Sequence, residues 1–332
     1  MIDTRKLYSL NDVCIVPTEI TSIKSRSECD CRVPNIEGTR VGFLPVIAAP
    51  MSCVMKNESD YLEFWNSGVS CVIPRTIPLE KRLELCKTVF CGFSLGEARD
   101  VLMKLPSNSV INVCLDIANG HMVEQFKIGR DLRNRFGDSL RLMGGNIANP
   151  ETYMHYEVSG FDFVRVSVGS GSGCLSSTQT AIHYPMASLL DDINERYIKG
   201  YKNRRCRIIA DGGMTGYSDI IKALALGADY VMAGLIFAKA AKGLELVGDS
   251  LEYYGMSTKR AQKEMGKTEL KTSEGKFLSI QKEYTLQGWV ENFDSYLRSS
   301  MSYCDSKSLE EFRKNARFNV VSNETIKNIT KK

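Results

Sequence analysis

Cys174 closes the run Val168-Gly-Ser-Gly-Ser-Gly-Cys174-Leu-Ser-Ser177, which follows directly on the apolar stretch Phe161–Val168. Small residues let a backbone turn tightly and aim its N–H groups at an anion. A thiol at the end of such a loop shares that positive field, which favours the thiolate and makes it a nucleophile. The other ten cysteines of the eleven lie in apolar or ordinary surroundings, where a free cysteine is packing material. Two more small-residue turns carry the same anion-binding chemistry: Asp211-Gly212-Gly213 and Gly234-Leu235. Ser172 with the N–H groups of Gly171 and Gly173, then Gly212 with Gly213, then Gly234 with Leu235 make three candidate contacts for one phosphate. Any one glycine alone is explained by a tight turn; three at the ends of neighbouring strands are not. Asp211 is placed to accept hydrogen bonds from two ribose hydroxyls.

The elements that must hold these turns recur as strand, turn, helix. Apolar runs suited to strands occupy Leu44–Ala49, Val69–Ile73, Val89–Phe93, Val110–Ile117, Leu140–Gly144, Phe161–Val168, Arg207–Ala210 and Tyr230–Ala233. Helix-compatible stretches between them include Ser59–Ser67, Leu95–Met103, Val123–Arg135, Pro150–Val158, Pro185–Arg196 and Ser218–Leu226. Continuous apolar strands alternating with amphipathic helices predict a parallel sheet covered on both faces, and eight such units predict a closed (β/α)8 TIM barrel. A doubly wound sheet would place G-x-G-x-x-G after the first strand, where the chain has Ala49-Pro-Met-Ser52. The C-terminal ends of a barrel's strands share one face, so Arg75, Asp116, Asn119, Gly120, Asn146, the Cys174 loop, Asp211 and Gly234 are expected to gather there. Beyond the eighth strand, 258–283 reads as a polar, Lys-rich mobile flap, followed by a helical segment over about 286–318. The whole chain, 1–332, is expected to form one barrel domain with no inserted regulatory domain.

Composition excludes other classes. The 332 residues are 43% hydrophobic and 25% charged, ordinary for a globular enzyme with a sizeable core. A net charge of +4 is too small for a nucleic-acid surface, and the basic clusters Lys202–Arg207 and Lys331–Lys332 read as solvated surface. Cysteine and histidine spacings hold no metal-ligand pattern. With no apolar leader at Met1–Leu10 and no run of 18 apolar residues, a reducing, cytoplasmic protein without membrane contact is expected.

On these residues the chain resembles the family of inosine-monophosphate dehydrogenase and guanosine-monophosphate reductase. The resemblance is carried by Lys24-Ser-Arg-Ser27, Ala49-Pro-Met51, Asp116-Ile-Ala-Asn-Gly120, Gly145-Asn146, Gly169-Ser-Gly-Ser-Gly-Cys174, Ile209-Ala-Asp-Gly-Gly213, Tyr254-Gly-Met256, Ser273-Glu-Gly275 and Leu297–Tyr303. It implies that Cys174 adds to carbon 2 of a purine nucleotide while a nicotinamide cofactor exchanges hydride there. It further implies that Ser176 and Glu274 relay a proton and that Asp116, Asn119, Gly120 and Arg75 face the cofactor. The nucleotide would be held by Gly171, Ser172, Gly173, Asp211, Gly212, Gly213, Gly234, Leu235, Asn146, Tyr254, Gly255, Met256 and Ser257. Relatives also lead to the expectation of a potassium ion on carbonyls of Gly169, Gly171 and Cys174, and of a homotetramer.

Three readings stay open at this point. The segment Met256–Glu274 is short and lacks the Arg-Tyr pair with which a dehydrogenase activates water, so GMP reduction with NADPH to IMP and ammonia is favoured. A dehydrogenase without regulatory insertion, oxidising IMP with NAD, is the first alternative. A nucleotide-binding protein with altered catalysis is the second, motivated by departures from the family pattern: Ser52 in place of an acid, Pro74 in place of a histidine, and Leu175 and Ser177 beside the nucleophile.

Overall fold

The computed structural model describes residues 4–199 and 203–322. The terminal pair Lys331–Lys332 and Lys202 of the basic cluster lie outside the described residues. Eight parallel strands close into a barrel in sequence order: β1 (Val46–Ala48), β2 (Ser70–Ile73), β3 (Phe90–Phe93), β4 (Ile111–Leu115), β5 (Leu140–Ile147), β6 (Phe163–Val166), β7 (Arg207–Asp211) and β8 (Tyr230–Ala233). Closure is direct, with Val46, Ile47 and Ala48 in register with Val231, Met232 and Ala233. The chain is therefore a (β/α)8 barrel, and each strand lies within one to three residues of the position expected from its apolar run.

Alternation along the strands separates two cores. Ile47, Val72, Phe90, Cys114, Met143, Phe163, Ile209, Tyr230 and Met232 fill the barrel interior. Val46, Ala48, Val113, Val164, Val166 and Ala210 point outward beneath the helices. Inside, Phe90, Phe163 and Tyr230 meet edge to face, with centroids 5.7 and 5.9 Å apart. Such packing leaves no pore. The helices Glu58–Asn66, Val123–Phe136 and Tyr217–Ala225 match their periodic stretches. Pro185–Arg196 divides into an α-helix, Met186–Ile193, and a wider π turn, Asn194–Ile198. Leu79–Leu85 is an additional helix whose seven residues are too short and too polar to show a period.

The Lys-rich segment after β8 differs most from expectation. It begins with a helix and ends in a strand, with an irregular stretch over 265–276 between them. Thr258 accepts from Ala261 N–H and caps the helix Lys259–Glu264. A strand β9 (Ser250–Tyr254) pairs antiparallel with β10 (Phe277–Gln281). Both strands are short and half-exposed, so no strong alternation marked them in the sequence. The helix Leu286–Tyr303 then packs on the barrel through Trp289, Val290, Phe293, Leu297 and Met301. At the opposite end, Val13–Val16 pairs with Arg317–Val320.

The barrel floor is plugged by Pro34–Glu37. Asn35 Oδ1 accepts from the N–H groups of Thr39 and Arg40, and Tyr230 Oη donates to Pro34 O. Glu37 is buried there, receiving Phe90 N–H and the Asn35 amide. Burial pushes its carboxyl from 4.5 up to about 7, against the hydrogen bonds it accepts. The fold thus favours the protonated form, and the stability this contributes is lost as pH rises from about 4.5 to about 7. We predict a fall on the order of 2–3 kcal/mol across that window in urea unfolding. Glu37→Gln should flatten the slope, and an unchanged slope would remove Glu37 as its cause.

Candidate active site

The Cys174 thiol is positioned by backbone pairing between its loop and the segment before β10. Cys174 and Gly275 form an isolated antiparallel bridge. Leu175 N–H donates to Glu274 O at 2.6 Å, and Lys276 N–H to Gly173 O at 3.0 Å. Gly255 lies against the same strand, since a Cβ on it would sit 2.4 Å from Gly173 O. Three chain segments distant in sequence therefore meet at one thiol. Ser176 Oγ donates to Glu274 Oε2 at 2.5 Å, while the Cys174 thiol lies 3.3 Å from Ser176 Oγ and 3.4 Å from Ser176 N–H. The set expected from the sequence, Cys174, Ser176 and Glu274, is a continuous hydrogen-bonded chain.

Cys174 is half-buried, whereas nine of the other ten cysteines are buried and only Cys14 shares its intermediate exposure. Burial pushes Cys31 and Cys114 up to about 12 and Cys53 and Cys86 up to about 11, which makes those thiols inert.

The three small-residue turns converge. A Cβ on Gly212 would lie 3.1 Å from Gly171 N, and one on Gly213 3.3 Å from Ser170 Cβ. Both glycines have positive φ, +87° and +81°, which side chains rarely tolerate. Among the described residues, the N–H groups of Gly171, Ser172, Gly173, Gly213 and Gly234 donate no hydrogen bond within the protein. Gly173 is buried, Gly171, Ser172 and Gly234 are half-buried and Gly213 is exposed, so these open donors form a cradle of the kind that suits an anion. Tyr253 spans it: its ring lies 3.1 Å from the Cβ position of Gly173 and its hydroxyl 2.7 Å from that of Gly234.

Tyr253 was missed in the sequence, and Tyr254 was expected in its place. Successive side chains of β9 point to opposite faces. Tyr253 consequently faces the cradle, while the Tyr254 hydroxyl turns to Glu264 and Ser52. Leu235 opens the short helix that follows Gly234. Met256 and Ser257 stay half-buried beside the pairing, with Ser257 Oγ 3.2 Å from the Cβ position of Gly275.

Beside the cradle, β4, β5, β6 and β7 deliver one charged array. Arg165, buried at the barrel's upper end, sits 3.1 Å from Asp116 Oδ1 and 3.9 Å from Asp211 Oδ2. Asn146 Nδ2 donates to the same Asp211 oxygen at 2.7 Å. Among the described residues Asp211 Oδ1 receives no donor, so it remains available for hydroxyls. Burial raises the Asp211 carboxyl above the usual range, with the Arg165 charge and the Asn146 amide opposing it. Arg165 went unrecognised in the sequence because a charge inside an apolar strand, Phe163–Val166, reads there as an interruption.

Arg75 reaches the same array: its Nη1 donates to Asp116 O at 3.3 Å, and its Nε is buried without a hydrogen-bond partner. Gly120 N–H donates to Asn146 O at 2.9 Å, and a Cβ there would collide with that oxygen at 2.6 Å. Asn119 is exposed, and its Oδ1 caps His121 N–H in a local turn. His121 Nε2 accepts from Ala148 N–H, which leaves its proton on Nδ1 facing Thr152 Oγ1. Burial lowers its pKa, so this imidazole is a neutral tie between the loops after β4 and β5.

Of the departures beside Cys174, Ser177 has a local reason. Ser177 Oγ donates to Gly169 O at 2.9 Å, and a Cβ on Gly169 would meet Ser177 N at 2.5 Å. A short hydroxyl side chain closes the loop on its own start. Pro74 O accepts Ile77 N–H in the turn after β2.

Among the described residues no group of three or more histidine, cysteine, aspartate or glutamate side chains could hold a metal ion. No helix among them is long and apolar enough to cross a membrane. Residues 7–331 match the IMP dehydrogenase / GMP reductase domain. The chain is 30% identical to a GMP reductase of Phytophthora infestans, across 97% of this chain and 92% of that protein. It is 28% identical to GMP reductases of Staphylococcus aureus and Staphylococcus epidermidis, each across 93% of this chain and 94% of the relative. A barrel with this Cys174 loop, matched over nearly its whole length, belongs to the IMP dehydrogenase / GMP reductase family.

Proposed function

We propose that the protein is a GMP reductase, converting GMP, NADPH and two protons to IMP, NADP and ammonium. The observation that carries this reading is the hydrogen-bonded chain Cys174–Ser176–Glu274 in a segment with no Arg-Tyr pair between Met256 and Glu274. A hydroxyl coupled to a carboxylate moves a proton to a departing amine. The Arg-Tyr pair with which a dehydrogenase activates water against the purine is absent from this segment.

The Cys174 thiolate adds to purine carbon 2, making it tetrahedral, with Ser176 N–H as a donor to the sulfur. The proton given up by the thiol passes through Ser176 Oγ to Glu274 and returns by the same path to the 2-amino group, which leaves as ammonia. A nicotinamide cofactor held at Asp116, Gly120 and Arg75 would supply the hydride that carbon 2 needs, and the Cys174 thiolate then departs to leave IMP. The phosphate rests on the open N–H groups of Gly171, Ser172, Gly173, Gly213 and Gly234, with Tyr253 across them. Asp211 accepts the ribose hydroxyls.

The cofactor fits the array at Asp116 and Gly120. Arg75, beside Asp116, makes no hydrogen bond through Nε and only a 3.9 Å ion pair with Glu97 there, and with Lys267 close enough to feel its charge this end of the barrel is cationic enough for an anionic ligand. Carbonyls of Gly169, Gly171 and Cys174 would hold a potassium ion. The first two already accept one hydrogen bond each and keep a second lone pair. A cytoplasmic homotetramer belongs to the same reading.

Purified protein should consume NADPH with GMP and release ammonia, while IMP with NAD stays silent. NAD reduction with IMP alone would make the protein a dehydrogenase, and silence in both arms would leave a binding protein. Cys174→Ala should abolish turnover, and Glu274→Gln should lower kcat by roughly 10²–10³-fold with the GMP dissociation constant little changed. Arg165→Met leaves Asp116 and Asp211 facing each other without their cation. Urea unfolding should show a loss of about 3 kcal/mol, with Arg165→Lys losing less. Equal stability of all three proteins would contradict the counter-ion role.

A further inference from the structure

Two residues are left over by the catalytic reading. Ser52 stands in the loop after β1 where the family pattern has an acid, and Glu264 ends the helix Lys259–Glu264. They meet. Ser52 Oγ donates to Glu264 Oε2 at 2.8 Å and lies 3.0 Å from Tyr254 Oη. That hydroxyl donates to Glu264 at 2.8 and 3.0 Å to its two oxygens. Arg260, one turn earlier, places its Nε 3.2 Å from Glu264 Oε1, packs 4.7 Å over the Tyr254 ring and pairs with Glu252 of β9. The Cys53 thiol also lies close, donating to Tyr254 O.

The helix so docked is tied to the relay acid through Gln262. This buried side chain donates to Ser257 O at 2.9 Å and Lys271 O at 3.1 Å, and accepts Lys271 N–H at 2.8 Å. Lys271 precedes Glu274 by three residues. A path of hydrogen bonds therefore runs from Ser52 through Glu264, its helix and Gln262 to the segment carrying Glu274.

We propose that Ser52 and Glu264 form a latch that docks the Lys259–Glu264 helix on the loop after β1 and so positions Glu274 against Ser176. The inference rests on Glu274 being the relay acid of the proposed reaction. It also gives the departure at position 52 a physical reason. Glu264 already supplies the carboxylate, and an aspartate at 52 would set two like charges within hydrogen-bond distance. Serine donates where aspartate would repel. Both are positioning residues, since neither touches the thiol or the cradle.

The test pairs hydrogen exchange of the ligand-free protein with GMP turnover in Ser52→Asp, Glu264→Gln and the double variant. Ser52→Asp should speed exchange across 258–276 and lower kcat about tenfold, with GMP affinity within about twofold. In the double variant the amide introduced at position 264 would donate to the carboxylate introduced at position 52, restoring the bond with its direction reversed. Exchange and kcat should then return to within about threefold of the wild type. Wild-type exchange in Ser52→Asp, or a double variant no better than Ser52→Asp, overturns the latch. If exchange follows the expected pattern while no protein reduces GMP, the latch stands and the reductase reading fails.

Discussion

Backbone pairing of the Cys174 loop with residues 274–276 is the constraint on which the site depends. The loop leaves β6 through glycines and serines that cannot hold their own shape by packing. Its geometry is set by a partner strand arriving a hundred residues later. Leu175 N–H on Glu274 O and Lys276 N–H on Gly173 O fix the two chains in register. That register brings Glu274 to Ser176 and Ser176 to the thiol. Main-chain bonds do not depend on side-chain rotamers, so the hydrogen-bonded chain Cys174–Ser176–Glu274 inherits its register from this bridge. The same pairing forces Gly173 against Gly255, and neither position has room for a side chain.

A second constraint is electrostatic. Placing Asp116 and Asp211 on one buried face is costly unless a cation lies between them, and Arg165 fills that place from β6. The arrangement separates two jobs at the top of one barrel. Asp211 with Asn146 looks toward the cradle, and Asp116 with Arg75 looks away from it. Parallel strands of one barrel deliver these groups to the same face.

The barrel was legible because its strands are apolar over most of their length. Tyr230–Ala233 appears with unchanged bounds, and Leu140–Gly144 was extended only by Gly145, Asn146 and Ile147. Cys174, Ser176 and Glu274 were legible through motif resemblance, and no periodicity could have paired Ser176 with Glu274, 98 positions apart. What stayed hidden shares a cause. Tyr253 and Tyr254 differ only in which face of a short strand they occupy, and β9 has too little alternation to say which. Arg165 lies inside a core strand, and its partners come from two other strands. Ser52 looked like a defect until Glu264 supplied its counterpart, a contact across 212 residues. Local pattern specifies elements; the chemistry resides in contacts between them.

The most direct test of the account is covalent trapping. A purine nucleotide bearing a halide at carbon 2 should be attacked by the Cys174 thiolate, releasing halide and leaving a stable thioether. Intact-mass and peptide analysis should show one saturable adduct per chain, on Cys174, suppressed by GMP and absent in Cys174→Ala. Labelling at Cys14 or Cys304 instead, or the absence of any adduct that GMP competes away, would contradict the assignment of the nucleophile and the relay built around it.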